Sequence, residues 1–210
     1  MSYTFVGVTT DSSGTNVSTV SFNIGAGISP FVVVGVEQQN GHAAPTMTIG
    51  SGTPIQLNLD FIDPSTNEVF FSNVATGLSG SQNITLTAAG SAFETRSYSL
   101  WYFPSIMYLS HTGSVAGTSF TIPVNAGDSL FVIGHAVGGA FTYSGSTVAP
   151  TGQRAITGGS NNPESADWVI TSSALFNVVA SLTGDHAAVT YSSTPSTSMT
   201  FANASSIIRM

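Results

Sequence analysis

The sequence predicts an all-β fold, an antiparallel β-sandwich built from two similar halves. Three observations carry this. Phe31-Val32-Val33-Val34-Gly35-Val36 is a short apolar run, mostly β-branched, bounded by Ser29-Pro30 and by Gln38-Gln39-Asn40-Gly41. Such a run reads as a strand buried on both faces, because a buried helix would need more length and fewer valines. The pattern returns in Leu130-Phe131-Val132-Ile133-Gly134-His135-Ala136, and the approach returns with it. Ser21-Phe22-Asn23-Ile24 leads to Ala26-Gly27-Ile28-Ser29-Pro30, and Ser119-Phe120-Thr121-Ile122 leads to Ala126-Gly127-Asp128-Ser129. Finally, no stretch longer than about eight residues has helical periodicity, and strand patterns recur between Gly, Ser and Asn turns. The expectation is a single domain over residues 1–210, with halves at roughly 1–110 and 111–210.

The elements follow in order. Tyr3 to Val8 alternates as an opening strand, and Thr9 to Thr19 reads as a turn region. Val20, Phe22 and Ile24 share one face of a strand. After the first central strand, His42 to Pro45 reads as loop. Thr46 to Ile49 alternates and stops at Gly50-Ser51-Gly52, and Ile55, Leu57 and Leu59 make another period-two set. Glu68 to Val74 is a strand, Gly77 to Gln82 a turn, and Asn83 to Ala88 a strand. Arg96 to Ile106 is the longest strand pattern, with Tyr98, Leu100 and Tyr102 opposed to Ser97, Ser99, Trp101 and Phe103. In the second half Ser119 to Val124, Leu130 to Ala136 and Ala140 to Tyr143 read as strands. Ser144 to Asn162 reads as a long loop or irregular edge. Ala166 to Thr171, Ala174 to Leu182 and Ala187 to Ser192 read as strands, with Thr183-Gly184-Asp185-His186 as a turn. Ser198 to Ile208 closes the chain.

Composition narrows the function classes. Only 6% of residues are charged and the net charge is −7, against about 25% charged in an average soluble domain. There is no lysine, and Arg96, Arg154 and Arg209 are the basic side chains. Nucleic-acid binding needs clustered Lys or Arg, so no nucleic-acid partner is expected, and the same deficit argues against an anionic membrane surface. Cysteine is absent, which excludes disulfides and thiolate metal sites. Met1 to Val6 has no basic region followed by an apolar core, and no apolar run is long enough for a membrane helix. Synthesis in a cytoplasm is expected.

Candidate sites are sparse. His42, His111, His135 and His186 are too dispersed for a local metal motif, and His135 inside a central strand reads as a structural histidine. Asp185-His186 reads as part of a turn, and turn chemistry explains the Asp there. No Gly-x-Ser-x-Gly elbow supports a hydrolase triad. Glu37, Glu68, Glu94 and Glu164 are the pool for a glycosidase pair, but their spacing selects none of them. Asp11 to Asn16 and Asp60 to Glu68 are oxygen-rich loops without calcium-loop spacing. No cofactor or metal is expected. Asn16, Asn83 and Asn203 begin glycosylation sequons, as chance provides in a chain rich in Ser and Thr. Tyr98, Trp101, Tyr102, Phe103 and Tyr108 form an aromatic-dense segment. One face of it belongs to the core. The other is a candidate platform for sugar rings or a subunit contact, since Tyr and Trp are enriched at interfaces.

The order of these features resembles a β-sandwich domain of bacteriophage virion structural proteins. The valine-rich strand Phe31 to Val36 comes early, followed by the glycine-ended strand Thr46 to Gly52 and the aromatic strand Val69 to Val74. A glycine turn then leads to alternating threonines, Gly80 to Thr87, and the Ala126-Gly127-Asp128 turn opens a hydrophobic strand midway. The resemblance implies a jelly-roll-like sandwich and no catalytic residues. It implies a virion structural protein of a tailed phage, a capsid decoration or cement protein on the outer capsid surface. The implied partners are the major capsid protein and further copies of this chain, most simply a trimer. A receptor- or glycan-binding module of a head or tail fibre is the alternative.

Overall fold

The structure is a computed structural model describing residues 3–24, 31–39, 46–50, 55–56, 59–62, 67–75, 80–87, 95–105, 107–136, 139–145, 148–156 and 163–195. The first half supplies β1 (Thr4–Asp11), β2 (Val17–Ile24), β3 (Phe31–Gln39), β4 (Thr46–Ile49), β5 (Ile55–Gln56), β6 (Leu59–Ile62), β7 (Asn67–Ala75), β8 (Gly80–Thr87) and β9 (Arg96–Phe103). The second supplies β10 (Tyr108–Val124), β11 (Ser129–Ala136), β12 (Tyr143–Gly145), β13 (Gly152–Ala155), β14 (Glu164–Val169) and β15 (Ala174–Ser192). Among the described residues there is no helix.

Every strand pairing is antiparallel. One sheet runs β1-β9-β3-β7-β6, and a second runs β2-β8-β4-β5. The chain therefore crosses repeatedly between two facing sheets, which is jelly-roll wiring. The second half repeats it with longer strands. β10 takes the places of β1 and β2, and β15 those of β8 and β9. The inner limb of the β10–β15 pair joins Tyr108–Gly117 to Gly184–Ser192, and the outer limb joins Ser119–Val124 to Ala174–Val179. β11 and then β14 continue the inner limb, while β12 pairs with the outer one.

Three cores follow from this wiring. Inside the first jelly roll, Val20, Phe22 and Ile24 meet Val32, Val34, Val36, Leu100 and Tyr102. Inside the second, Ile122, Leu130, Val132, Trp168, Phe176 and Val178 pack together. Between the two lies a third, made by Val33, Trp101 and Phe103 from one half and Phe131, Ile133, Val189 and Tyr191 from the other. β3, β9 and β11 are thus covered on both faces, as their continuous apolar runs require. β2 alternates strictly, with Val20, Phe22 and Ile24 inward and Thr19, Ser21 and Asn23 in solvent. Each large apolar side chain so buried contributes about 1.5–3 kcal/mol.

Several sequence expectations need correction. β1 runs on through Thr9, Thr10 and Asp11, and β8 already includes Gly80, Ser81 and Gln82. The first limb of β10, from Tyr108 to Thr118, has no counterpart in the sequence reading. Its Ser, Gly and Thr side chains hide the period of two, and the strand is held by its ladder to β15. Thr183 to His186 is not a turn. It lies within β15, where the strand passes from the outer to the inner limb. The irregular stretch from Ser144 carries the short strand β13. The Ala126-Gly127-Asp128 turn forms: Asp128 N donates to the Asn125 carbonyl at 3.0 Å, and Gly127 takes φ 91°. Positive φ at that position is where glycine costs nothing. The loop from His42 to Pro45 and the closing strand from Ser198 lie outside the described residues.

Candidate functional site

The seam between the two jelly rolls concentrates the chain's chemistry. Its apolar floor is an aromatic stack. Phe131 packs 4.8 Å from Trp101 and 5.8 Å from Phe103, centroid to centroid, with Tyr3 at 5.0 Å. Tilted and edge-on contacts of this kind add about 0.5–1.5 kcal/mol each beyond burial.

At one side of this stack sits Asp167 of β14, fully buried. Tyr3 Oη donates to its Oδ1 at 2.5 Å and Trp101 Nε1 to its Oδ2 at 2.9 Å. Arg154 of β13 pairs with the same Oδ2 through Nη1, and its guanidinium carbon lies 3.6 Å above the centre of the Phe5 ring. One carboxylate thus joins the chain's first residues, β9, β13 and β14. Burial and the Asp167 carboxylate push the Tyr3 hydroxyl far above its usual pKa.

The seam turns polar further along. Glu37 ends the seam face of β3, in step with Val33, and is 1% exposed, with Ser97 of β9 opposite it in register. Across the seam stands His135 of β11, also 1% exposed, its Nε2 lying 3.2 Å from Asp185 Oδ2. Burial pushes Glu37 up to about 7, an effect that His135 and Ser97 partly offset. The Nδ1 of His135 has no hydrogen-bond partner.

A second polar group lies on the other face of the same sheet, inside the second jelly roll. His186 Nε2 is 3.2 Å from the Gly117 carbonyl, and His186 Nδ1 is 2.9 Å from Tyr143 Oη. A carbonyl only accepts, so Nε2 carries the proton and the Tyr143 hydroxyl donates to Nδ1. Burial lowers His186 to about 4, so it is neutral at pH 7. Glu164 is raised to about 7 by burial, and its Oε2 lacks a partner. Gly134 makes room for this group, since a Cβ there would collide with His186 and with the Tyr143 hydroxyl.

The first jelly roll has its own buried cation. Arg96 Nη2 donates to the Thr15 carbonyl at 2.9 Å, and the Tyr98 hydroxyl donates to Ser18 Oγ at 2.6 Å. Burial raises the Tyr98 hydroxyl to about 12. Asp11 accepts from Ser13 N at 2.9 Å, an Asx turn in the loop with the first oxygen-rich sequence. Burial alone would raise its pKa, but bonds from Ser18 and Ser13 and the Arg96 charge bring it below the usual value. Among the described residues no three His, Asp or Glu side chains gather as a metal set would.

The aromatic segment sits differently from the expectation of one open face. Tyr98 and Tyr102 face the core of the first jelly roll, and Trp101 and Phe103 face the seam. All four are buried, because a second sheet covers each side of β9. Tyr108, at the start of β10, is 41% exposed. Sequence reasoning also missed the seam acids and histidines as a group. Glu37 and His135 lie almost a hundred positions apart, and no local pattern brings them together. Another open feature is an apolar cleft of about 90 Å³ lined by residues that include Val148, Trp168, Leu175 and Phe176, with Leu175 72% exposed.

No protein-family model matches the chain, and no curated protein does. Among solved structures the chain is similar to one described as "The Triple Jelly Roll Fold and Turret Assembly in an Archaeal Virus", at 12% identity and a TM-score of 0.31. The similarity covers 95% of this chain and 61% of that one, so this chain spans less than two thirds of its neighbour's length.

Proposed function

We propose that this chain is a non-enzymatic structural protein of a virus particle, in the finer reading a decoration or cement protein of a tailed-phage capsid. The observation that carries the reading is the seam. Two jelly rolls joined back to back through Trp101, Phe103, Phe131 and Tyr191 make a stiff double block, with Glu37, His135, Asp167 and His186 shut inside it. A catalyst needs such groups at an open cleft. The outer surface offers Ser, Thr and Asn instead, as on β2 and β8, where Thr19 meets Thr85 and Ser21 meets Asn83.

Such a surface docks through hydroxyl and backbone hydrogen bonds with few ion pairs. The proposed partners are the major capsid protein and further copies of the chain, most simply a trimer at local threefold positions of the outer capsid surface. A contact poor in ion pairs resists salt. The test is a wash of purified particles with molar salt at neutral pH, followed by mass spectrometry of pellet and supernatant. Retention in the pellet is expected. Release by salt would overturn the docking mechanism, and absence from purified particles would overturn the virion reading. The sugar-platform alternative has lost the rings of β9 to the core and keeps only Tyr108.

A further inference from the structure

We propose that Glu37 of the first jelly roll and the His135–Asp185 pair of the second form a pH-operated clasp, which holds the seam shut in mild acid and loosens it above neutrality. The geometry comes first. Glu37 and His135 stand on the central strands of two different sheets, face each other across the seam, and are each 1% exposed. Ser97 on β9 is the polar neighbour on Glu37's own side. Asp185 on β15 takes His135 Nε2 and is 20% exposed, so the cluster reaches the surface there. Arg96 bonds the Thr15 carbonyl inside the first jelly roll, and Arg154 is paired with Asp167. Glu164, His186 and Tyr143 lie on the far face of the β11–β15 sheet, inside the second jelly roll.

The charges then decide the direction. In mild acid Glu37 is a neutral acid, and the His135–Asp185 pair stands across the seam from it. Above neutrality Glu37 is an anion in a closed layer. A buried charge is costly where its neighbours offset only part of the lost hydration, and opening the seam relieves it. The acid's folded pKa of about 7 lies above its ordinary 4.5. Its contribution is therefore fully present below about 4.5 and lost as pH rises through about 7. Glu164 acts in the same sense, whereas His186, lowered to about 4, gains stability with rising pH between about 4 and 6.5. Both belong to the second jelly roll's interior, so a measurement confined to the seam separates them from Glu37.

The chain has no cysteine, so a single introduced thiol reads one position. Ala187 faces the seam and its neighbour Ala188 faces the second jelly roll's interior, both fully buried. The experiment compares thiol-labelling rates of Ala187→Cys and Ala188→Cys from pH 5.5 to 8.5, corrected for thiolate fraction with a small model thiol. The Ala187→Cys rate should rise on the order of tenfold while the Ala188→Cys rate stays flat. Adding Glu37→Gln should flatten the rise. Equal rises at both positions, no rise at Ala187→Cys, or a rise that survives Glu37→Gln would each overturn the clasp. Should the Glu37→Gln chain not fold, infrared spectroscopy of the Glu164→Gln variant decides. A buried carboxylic acid band persisting to about pH 6.5 is expected, and its loss by about pH 5 would overturn the proposal.

Discussion

Asp167 is the residue on which most of the seam's polar geometry converges. It accepts from Tyr3, Trp101 and Arg154, which reach it from the segment before β1, from β9 and from β13. Asp167→Asn keeps its shape but leaves Arg154 without its anion, so a loss of about 3 kcal/mol is expected in urea unfolding. Arg154 is 22% exposed, which places the value at the low end for a buried pair. Tyr3→Phe deletes one hydrogen bond and should cost about 1 kcal/mol. Combining Arg154→Gln with Asp167→Asn should cost less than the sum of the single changes, because the two groups share one interaction. Additive losses would mean that the ion pair contributes nothing. Gly184 is constrained by space: a Cβ would run into the His135 carbonyl oxygen where β15 pairs with β11. That obstacle is backbone and cannot swing aside, so Gly184→Ala should cost about 3 kcal/mol or more.

At the scale of the element, β9 separates the scaffold reading from the platform reading. Trp101→Ala should destabilise by about 3–5 kcal/mol, as expected for a buried aromatic, whereas Tyr108→Ala should stay within about 0.5 kcal/mol. Denaturant midpoints read both, and a harmless Trp101→Ala would mean that the ring is not in the core. The same strand marks what was legible in the sequence. Alternation sorted Tyr98, Leu100 and Tyr102 from Trp101 and Phe103 correctly, since a strand's period is fixed by its pleat. It could not say that both sets are covered, because that depends on a second jelly roll contributing Phe131, Ile133, Val189 and Tyr191. The runs Phe31 to Val36 and Leu130 to Ala136 were readable as central strands, being apolar on both faces. The first limb of β10 was not, since Ser110, Thr112 and Gly113 are buried without being apolar. Its position is set by pairing with β15, which no local pattern reports.

At the scale of the whole molecule, the seam makes the two jelly rolls depend on each other. Val33, Trp101 and Phe103 of the first half and Phe131, Ile133, Val189 and Tyr191 of the second are buried against one another. Separating the halves would expose them, at about 25 cal/mol for each Å² of apolar surface returned to water. Loss of either half therefore removes one wall of the other's second face, and unfolding should be a single cooperative event. The two tryptophans report from different places, Trp101 in the seam and Trp168 inside the second jelly roll. Fluorescence of Trp168→Phe follows the seam alone, and that of Trp101→Phe follows the second jelly roll alone. In each variant the fluorescence and far-ultraviolet circular dichroism transitions in urea should coincide, as a two-state chain requires. At pH 8.5, where the clasp loosens, the coincidence is tested hardest. If the Trp101 signal there is lost at clearly lower urea than the dichroism, while the Trp168 signal follows the dichroism, the seam opens as a separate step. If the two signals also part at pH 5.5, the halves are independent folding units and the shared core does not couple them.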